Sequence, residues 1–319
     1  MNFLDKFPNA SIKEITAGRN SRVFSVTTSG GEKYCAKEYF QSDTDQRPRM
    51  QIETDSLAML AACGVTDIPR VLDIDTENQI TIFSFIEGEK IDGEKITEAN
   101  VIALANFLLS LQQQAIREHF GNFVDAADAS FSREAIFDDI QSRFDRFKQI
   151  EVKDDITRDA VVFLNDTLNP FLQEQKGKVG YEQLPREYQI LSPSDFGFHN
   201  ILIDQTGGQH YIDFEYFGWD APEKCINDFL LHPGFTLEKK KRLLFKKEML
   251  CGLAHDSQLA QRVDDTYQLF GIKWCLILLN EFCPACWQRR VFVGAATSET
   301  LTHQLAKAKR LFGELRETN

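Results

Sequence analysis

One stretch constrains this chain more than any other: Leu191-Ser-Pro-Ser-Asp-Phe-Gly-Phe-His-Asn-Ile-Leu202, followed closely by Gln209-His-Tyr-Ile-Asp-Phe-Glu215. Ile201-Leu-Ile203 and Tyr211-Ile212 are apolar and strand-like, and they flank the turn Gln205-Thr-Gly-Gly208. That pattern predicts a hairpin, which makes Asn200 at one end a spatial neighbour of Asp213 at the other. Asp195 lies in the turn just before it. Transfer of a phosphoryl group needs a base to orient a hydroxyl, and an amide oxygen and a carboxylate to hold Mg²⁺ across nucleotide phosphates. Asp195, Asn200 and Asp213 supply that set in that order.

In Asp195-x4-Asn200 and Ile212-Asp-Phe-Glu215 the chain resembles the aminoglycoside phosphotransferase and choline kinase family, small-molecule kinases with a protein-kinase-like fold. The first motif of that family usually reads His-Gly-Asp-x4-Asn, whereas Pro193 and Ser194 stand here where His and Gly would. The base and metal roles carry over with the Asp and Asn; any contribution of that His does not. Glu215, in place of the Gly of protein kinases, resembles the choline-kinase-like branch. The resemblance implies an α+β, two-lobed, protein-kinase-like fold with a small β-rich N-lobe and a larger, mainly helical C-lobe. Residues 1–87 are expected to form the nucleotide-binding N-lobe and hinge. Residues 88–319 are expected to form the C-lobe with catalytic loop, metal site and acceptor pocket. It also implies ATP and Mg²⁺ as cofactors and a small-molecule hydroxyl as acceptor.

The N-terminal third meets the further demands of such a fold. Ile12-Lys-Glu-Ile15 and Arg22-Val-Phe-Ser-Val26 are strand-like, and between them the polar turn containing Gly18 and Ser21 can turn backbone N–H groups toward a phosphate. Tyr34-Cys-Ala-Lys37-Glu-Tyr-Phe40 sets Lys37 inside an apolar strand, and the helix-like Gln51 to Leu60 offers Glu53 as its partner. The resemblance makes Lys37 the phosphate-binding lysine. Gln79 to Ile86 is strand-like, preceded by a turn over Asp73 to Asn78, and by resemblance the crossing at Ser84, Phe85 and Ile86 takes the adenine edge. Helical periodicity then covers Val101 to Gln113, Ile136 to Phe147, Ile156 to Gln173, Lys239 to Leu253, Val263 to Phe282 and Thr300 to Leu315.

Composition narrows the classes. A net charge of −12 argues against a nucleic-acid surface. The longest apolar runs, such as Trp274 to Leu279, are too short to span a bilayer, and the first residues lack a basic segment and apolar core, so a cytoplasmic protein is expected. Seven scattered cysteines do not form a secreted disulfide framework, and Cys283-Pro-Ala-Cys286 has no second pair or nearby His to complete a zinc site. Glu215, Trp219 and Asp220 are the candidate acceptor contacts, an acidic and aromatic wall suited to an amine or a sugar face. Ala221-Pro-Glu223 lies too near Asp213 for a peptide-docking segment and reads as a chance match. A nucleotide-binding pseudokinase acting as an interaction module is the alternative, invited by Pro193 and Ser194. Nucleotidyl transfer on the same fold is a rarer one.

Overall fold

The computed structural model describes residues 7, 9–15, 21–41, 47–91, 93–178, 180–283, 286–287, 291 and 298–317. Its N-terminal part is an antiparallel sheet in the order β1-β2-β3-β5-β4, built from β1 (Ser11–Ile15), β2 (Ser21–Thr27), β3 (Lys33–Tyr39), β4 (Val71–Asp75) and β5 (Ile80–Ser84). Alternation of side chains along a strand fixes what β3 does. Ala36 turns to an apolar cluster with Val26, Ile80 and Ile82, so Lys37 and Tyr39 must turn to the other face. There α1 (Arg49–Ala62) crosses, burying Glu53, Leu57 and Leu60 at the spacing of one helical stripe. The central strand and the helix thus present Lys37 and Glu53 to each other.

Val71–Asp75 corrects the sequence expectation, which put a turn from Asp73 to Asn78. The segment pairs with β5 as the edge strand, with a register irregularity between Val71 and Asp73. Its Leu72 and Ile74 are half exposed, 50% and 41%, so the strand has no buried face to announce it. Two aspartates in a segment without that signature read as turn residues.

The helical part runs through α2 (Glu98–Ser110), α3 (Gln114–His119), α4 (Arg133–Phe147), α5 (Asp155–Val162), α6 (Asn169–Gln175), α7 (Pro222–Leu231), α8 (Lys239–Gly252), α9 (Leu259–Leu278) and α10 (Ser298–Glu317). α9 is the axis, packed against α4, α7 and α10. The single helix expected from Ile156 to Gln173 is two helices joined by a π-helical stretch, Phe163–Leu168. Pro170 at the start of α6 has no N–H to donate, so the preceding turn widens instead of closing a regular bond.

Two short ribbons sit between these layers. β6 (Ile190–Ser192) pairs with β9 (Gly218–Asp220), and β7 (Ile201–Ile203) with β8 (Gln209–Tyr211) in the expected hairpin. Ala221-Pro-Glu223 has a structural place of its own. Pro222 opens α7, and Glu223 is buried against the Arg262 guanidinium at 3.3 Å, which also pairs with Asp256. The triplet therefore pins α7 to α9.

β9 approaches the 124–126 backbone so closely that a Cβ at Gly218 would lie 2.5 Å from Ala126 N and Val124 O. Neither backbone atom can rotate away. Gly218→Ala is expected to cost about 1–3 kcal/mol by overpacking, read as a lower urea midpoint at unchanged slope.

Candidate active site

Three carboxylates and one lysine form the first half of the site. Lys37 Nζ lies 2.7 Å from Glu53 Oε2, 2.6 Å from Asp213 Oδ1 and 3.1 Å from Glu215 Oε2. Tyr39 donates its hydroxyl to the same Glu53 oxygen, and the other Glu53 oxygen accepts the Phe214 N–H at 3.0 Å. Glu215 also accepts from Ser21 and faces Arg49 at 3.9 Å. Burial alone would drive a proton off Lys37, but Asp213, Glu215 and Glu53 more than reverse this and hold its pKa well above the ordinary value. Asp213 is pushed up, by burial and by Glu215 and Glu53, against the pull of Lys37. Glu215 is held below its ordinary value, because Lys37 and Arg49 outweigh its burial.

The hairpin delivers Asn200 to this cluster. Ile212 N–H donates to Asn200 O at 3.0 Å, which fixes the residue preceding Asp213 against the amide residue. Asn200 Nδ2 donates to Asp195 O, so its carbonyl oxygen is the end turned elsewhere. A divalent cation fits this donor set. Glu53, Asp213 and Glu215 bring ligand oxygens within 4.8 Å of one another, three carboxylates against Lys37 and Arg49 leave one negative charge over, and Asp213 keeps 37% of its side chain exposed. Hard oxygen donors of this kind suit Mg²⁺.

Asp195 forms the second half. Its Oδ1 lies 3.0 Å from His199 Nε2 and 3.1 Å from His232 Nε2, and 38% of the side chain is exposed. Burial opposes its charge, yet His199 and His232 outweigh burial and keep the carboxyl well below its ordinary value. The residue before it, Ser194, has φ 66, a conformation that glycine adopts freely. Two bonds hold the serine there: Lys224 Nζ donates to its Oγ, and the Oγ donates to Ala127 O. Lys224 is itself held between Asp220 and Asp228.

The other sequence candidates fall in different places. Gly18 lies outside the described residues, while Ser21 bonds Glu215. Ser84, Phe85 and Ile86 leave the sheet as the strand passes to the helical part; Ser84 Oγ accepts Arg70 N–H, and Phe85 lies 5.5 Å from Lys33 Nζ. The acceptor contacts expected at Glu215, Trp219 and Asp220 are corrected by burial. Glu215 is 2% exposed and spent on Lys37; Asp220 is wholly buried beside Lys224. Trp219 donates its indole N–H to Phe120 O and is stacked by Arg186 and Arg117, at 3.7 and 4.8 Å from the ring centre. Asp228 accepts the Trp274 indole N–H and faces Lys224. His232, which contacts Asp195, was missed; the signal was His232-Pro-Gly-Phe235 directly after α7.

His232 is buried, and its pKa is lowered to about 4 by burial first and His199 second, against bonds from Asp195. A histidine depressed in the fold binds its proton more readily when unfolded, so between about pH 6.5 and about 4 stability rises with pH. Lowering the pH through that window should cost about 3 kcal/mol from this group. Urea midpoints measured from pH 7 to 4 should fall less in His232→Gln than in the parent; parallel profiles would show that the imidazole is not held neutral.

Three solved structures share the fold. A Plasmodium vivax ethanolamine kinase matches with a TM-score of 0.61 at 15% identity, over 97% of this chain and 84% of that one. A spectinomycin phosphotransferase in complex with ADP and spectinomycin gives 0.59 at 11% identity, over 96% of this chain and 88% of that one. An amicoumacin kinase bound to AMP-PNP and Ca²⁺ gives 0.56 at 14% identity, over 95% of this chain and 88% of that one. At such identities the likeness is one of fold, the protein-kinase-like α+β fold expected from the motifs. A search of curated proteins by sequence found no match. The family model described as "Phosphotransferase enzyme family" matches residues 11–223, from β1 to the start of α7. The chain belongs to the phosphotransferase enzyme family.

Proposed function

We propose that this chain transfers the γ-phosphoryl group of ATP to a hydroxyl of a small molecule, in a Mg²⁺-dependent reaction. The observation that carries the reading is one convergence: Lys37 bonds Glu53 and Asp213 at 2.7 and 2.6 Å, while the ionised Asp195 belongs to the same loop as Asn200. Residues 1–87 act as the nucleotide lobe and residues 88–319 as the acceptor lobe. The neighbours act on ethanolamine, spectinomycin and amicoumacin, which supports an acceptor with an alcohol group, either an amine alcohol or a sugar-like polyol. The cytoplasm, which supplies ATP and keeps thiols reduced, is the compartment this reading implies.

The roles follow from the contacts. Lys37, steered by Glu53, exchanges its Asp213 contact for phosphate oxygens when nucleotide enters. Asn200 and Asp213 are the groups that hold Mg²⁺, which supplies positive charge at the β- and γ-phosphates when bound. Gly18 and Ser21 belong to the strand connection over the phosphates, and Ser84, Phe85 and Ile86 to the adenine edge. Asp195 accepts the acceptor's hydroxyl hydrogen and orients its oxygen for in-line attack. Because its pKa lies well below the ordinary range, it works by orientation and late proton acceptance rather than by early abstraction.

Incubation of the protein with γ-labelled ATP and a panel of aminoglycosides, choline, ethanolamine, sugars and nucleosides tests the reaction; label transferred to none of them, with or without Mg²⁺, would overturn it. Asp195→Asn should lower kcat by about 10²–10⁴ while nucleotide affinity changes little. Asp213→Ala should abolish Mg²⁺-dependent nucleotide binding in calorimetry, and Asn200→Ala should weaken it in a way that added Mg²⁺ partly restores.

A further inference from the structure

We infer that His232, together with His199, is a positioning residue for Asp195: it clamps one carboxylate oxygen so that the other faces the acceptor. The inference rests on the proposed role of Asp195 as the hydroxyl-orienting group. Its starting point is that both imidazoles meet the same atom. His199 Nε2 and His232 Nε2 lie 3.0 and 3.1 Å from Oδ1. An ionised carboxylate only accepts, so each Nε2 must carry the proton.

An independent contact fixes that tautomer in His232. Gly234 N–H donates to His232 Nδ1 at 2.9 Å, and a nitrogen that accepts has no proton of its own. The neutral ring therefore has its hydrogen on Nε2, aimed at Asp195. The same contact disposes of the rival use of this cluster. Asp195, His199 and His232 have the composition of a two-histidine, one-carboxylate metal site, but a metal would need the Nε2 lone pair. Freeing it means moving the proton to Nδ1, against the Gly234 N–H.

The surroundings hold the ring in place from every side. His199, His232 and Phe235 are nearly parallel: the imidazoles stand 4.1 Å apart at 12°, and His232 stands 5.2 Å from Phe235 at 11°. Trp274 closes the other side edge-on at 4.5 Å. Two glycines make room for this stack. A Cβ on Gly197 would lie 2.5 Å from Phe235, and one on Gly234 would lie 2.5 Å from the His232 ring. Arg242 then ties down the loop that carries it, donating to the carbonyls of Phe229, His232 and Phe235. Phe196-Gly-Phe-His199 and His232-Pro-Gly-Phe235 are thus two halves of one clamp. With both bonds on Oδ1, Oδ2 is the oxygen left for the hydroxyl.

Two measurements test this. In protein labelled with ¹⁵N-histidine at pH 7, His232 should appear as the neutral Nε2–H tautomer, and Asp195→Asn should shift its Nε2 resonance. An Nδ1–H tautomer, or an unmoved resonance, overturns the clamp whatever the enzyme does. In turnover of MgATP with water as acceptor, His232→Ala should lower kcat about ten- to a hundredfold, the range for losing an outer bond that orients a reacting group, with the KM for ATP within about twofold. His232→Gln, which keeps an N–H donor, should recover most of it, and His232→Ala should cost nothing further in Asp195→Asn. Full activity in His232→Ala, equal loss in both variants, or additive losses would overturn it. The imidazole measurement decides the question even where His232→Ala does not fold. A clamp intact in a protein that neither hydrolyses ATP nor phosphorylates any acceptor would instead count against the proposed function.

Discussion

The charge balance around Lys37 is the constraint on which the rest depends. A lysine 7% exposed in the central strand of a sheet is untenable alone, since desolvating an unpaired ammonium costs several kcal/mol. Its partners come from two places in the chain. Glu53 comes from the helix that crosses the sheet, and Asp213 and Glu215 come from beyond the hairpin, some 176 and more residues away in sequence. The two parts of the chain are therefore joined through a site that carries more carboxylates than cations. Surplus negative charge is a poor device for stability, where one carboxylate would do. It suits a site that receives a cation and a polyphosphate together, and Asp213, the most exposed of the three, is the group left raised above its ordinary range.

Backbone strain falls on the same residues. Among the described residues outside glycine, Ser194 and Asp213 are two of the five with positive φ, at 66° and 69°. Each adjoins or is a proposed functional carboxylate. Such conformations cost of order 1 kcal/mol and persist where the surroundings over-determine them. Ser194 is fixed by Lys224 and Ala127, and Lys224 is fixed in turn by Asp220 and Asp228. This explains why a serine is tolerated in a conformation that glycine adopts freely, and it gives Asp220 a purpose unconnected with the acceptor.

What could be read from the sequence was whatever a local pattern or a fixed spacing determines. The hairpin between Asn200 and Asp213 followed from two apolar runs around a glycine turn, and the facing of Lys37 and Glu53 from strand alternation met by a helical stripe. What could not be read depended on who pairs with whom across the chain. The edge strand at Val71–Asp75 lacks a buried face, so its residues looked like a turn. Glu223 looked accidental until Arg262, 39 residues on, appeared opposite it. His232 is 37 residues from Asp195, and no period in the sequence connects them. The Gly18 turn lies outside the described residues.

The acceptor side illustrates a general point about charge. A chain of net charge −12 with Glu215 and Asp220 near its catalytic segment suggests an anionic pocket awaiting a cation. Pairing inside the protein changes that conclusion, because Glu215 is consumed by Lys37 and Arg49, and Asp220 by Lys224. The groups in contact with Asp195 are imidazoles, stacked with Phe235 and edged by Trp274. Under the proposed function, a wall of this kind would recognise by ring faces and by the direction of a hydrogen bond, so it would select an acceptor by where its hydroxyl points more than by its charge. On the same proposal, overall charge would act only at a distance, on the encounter, and the choice among alcohols would fall to the geometry of the oxygen that the two histidines leave open.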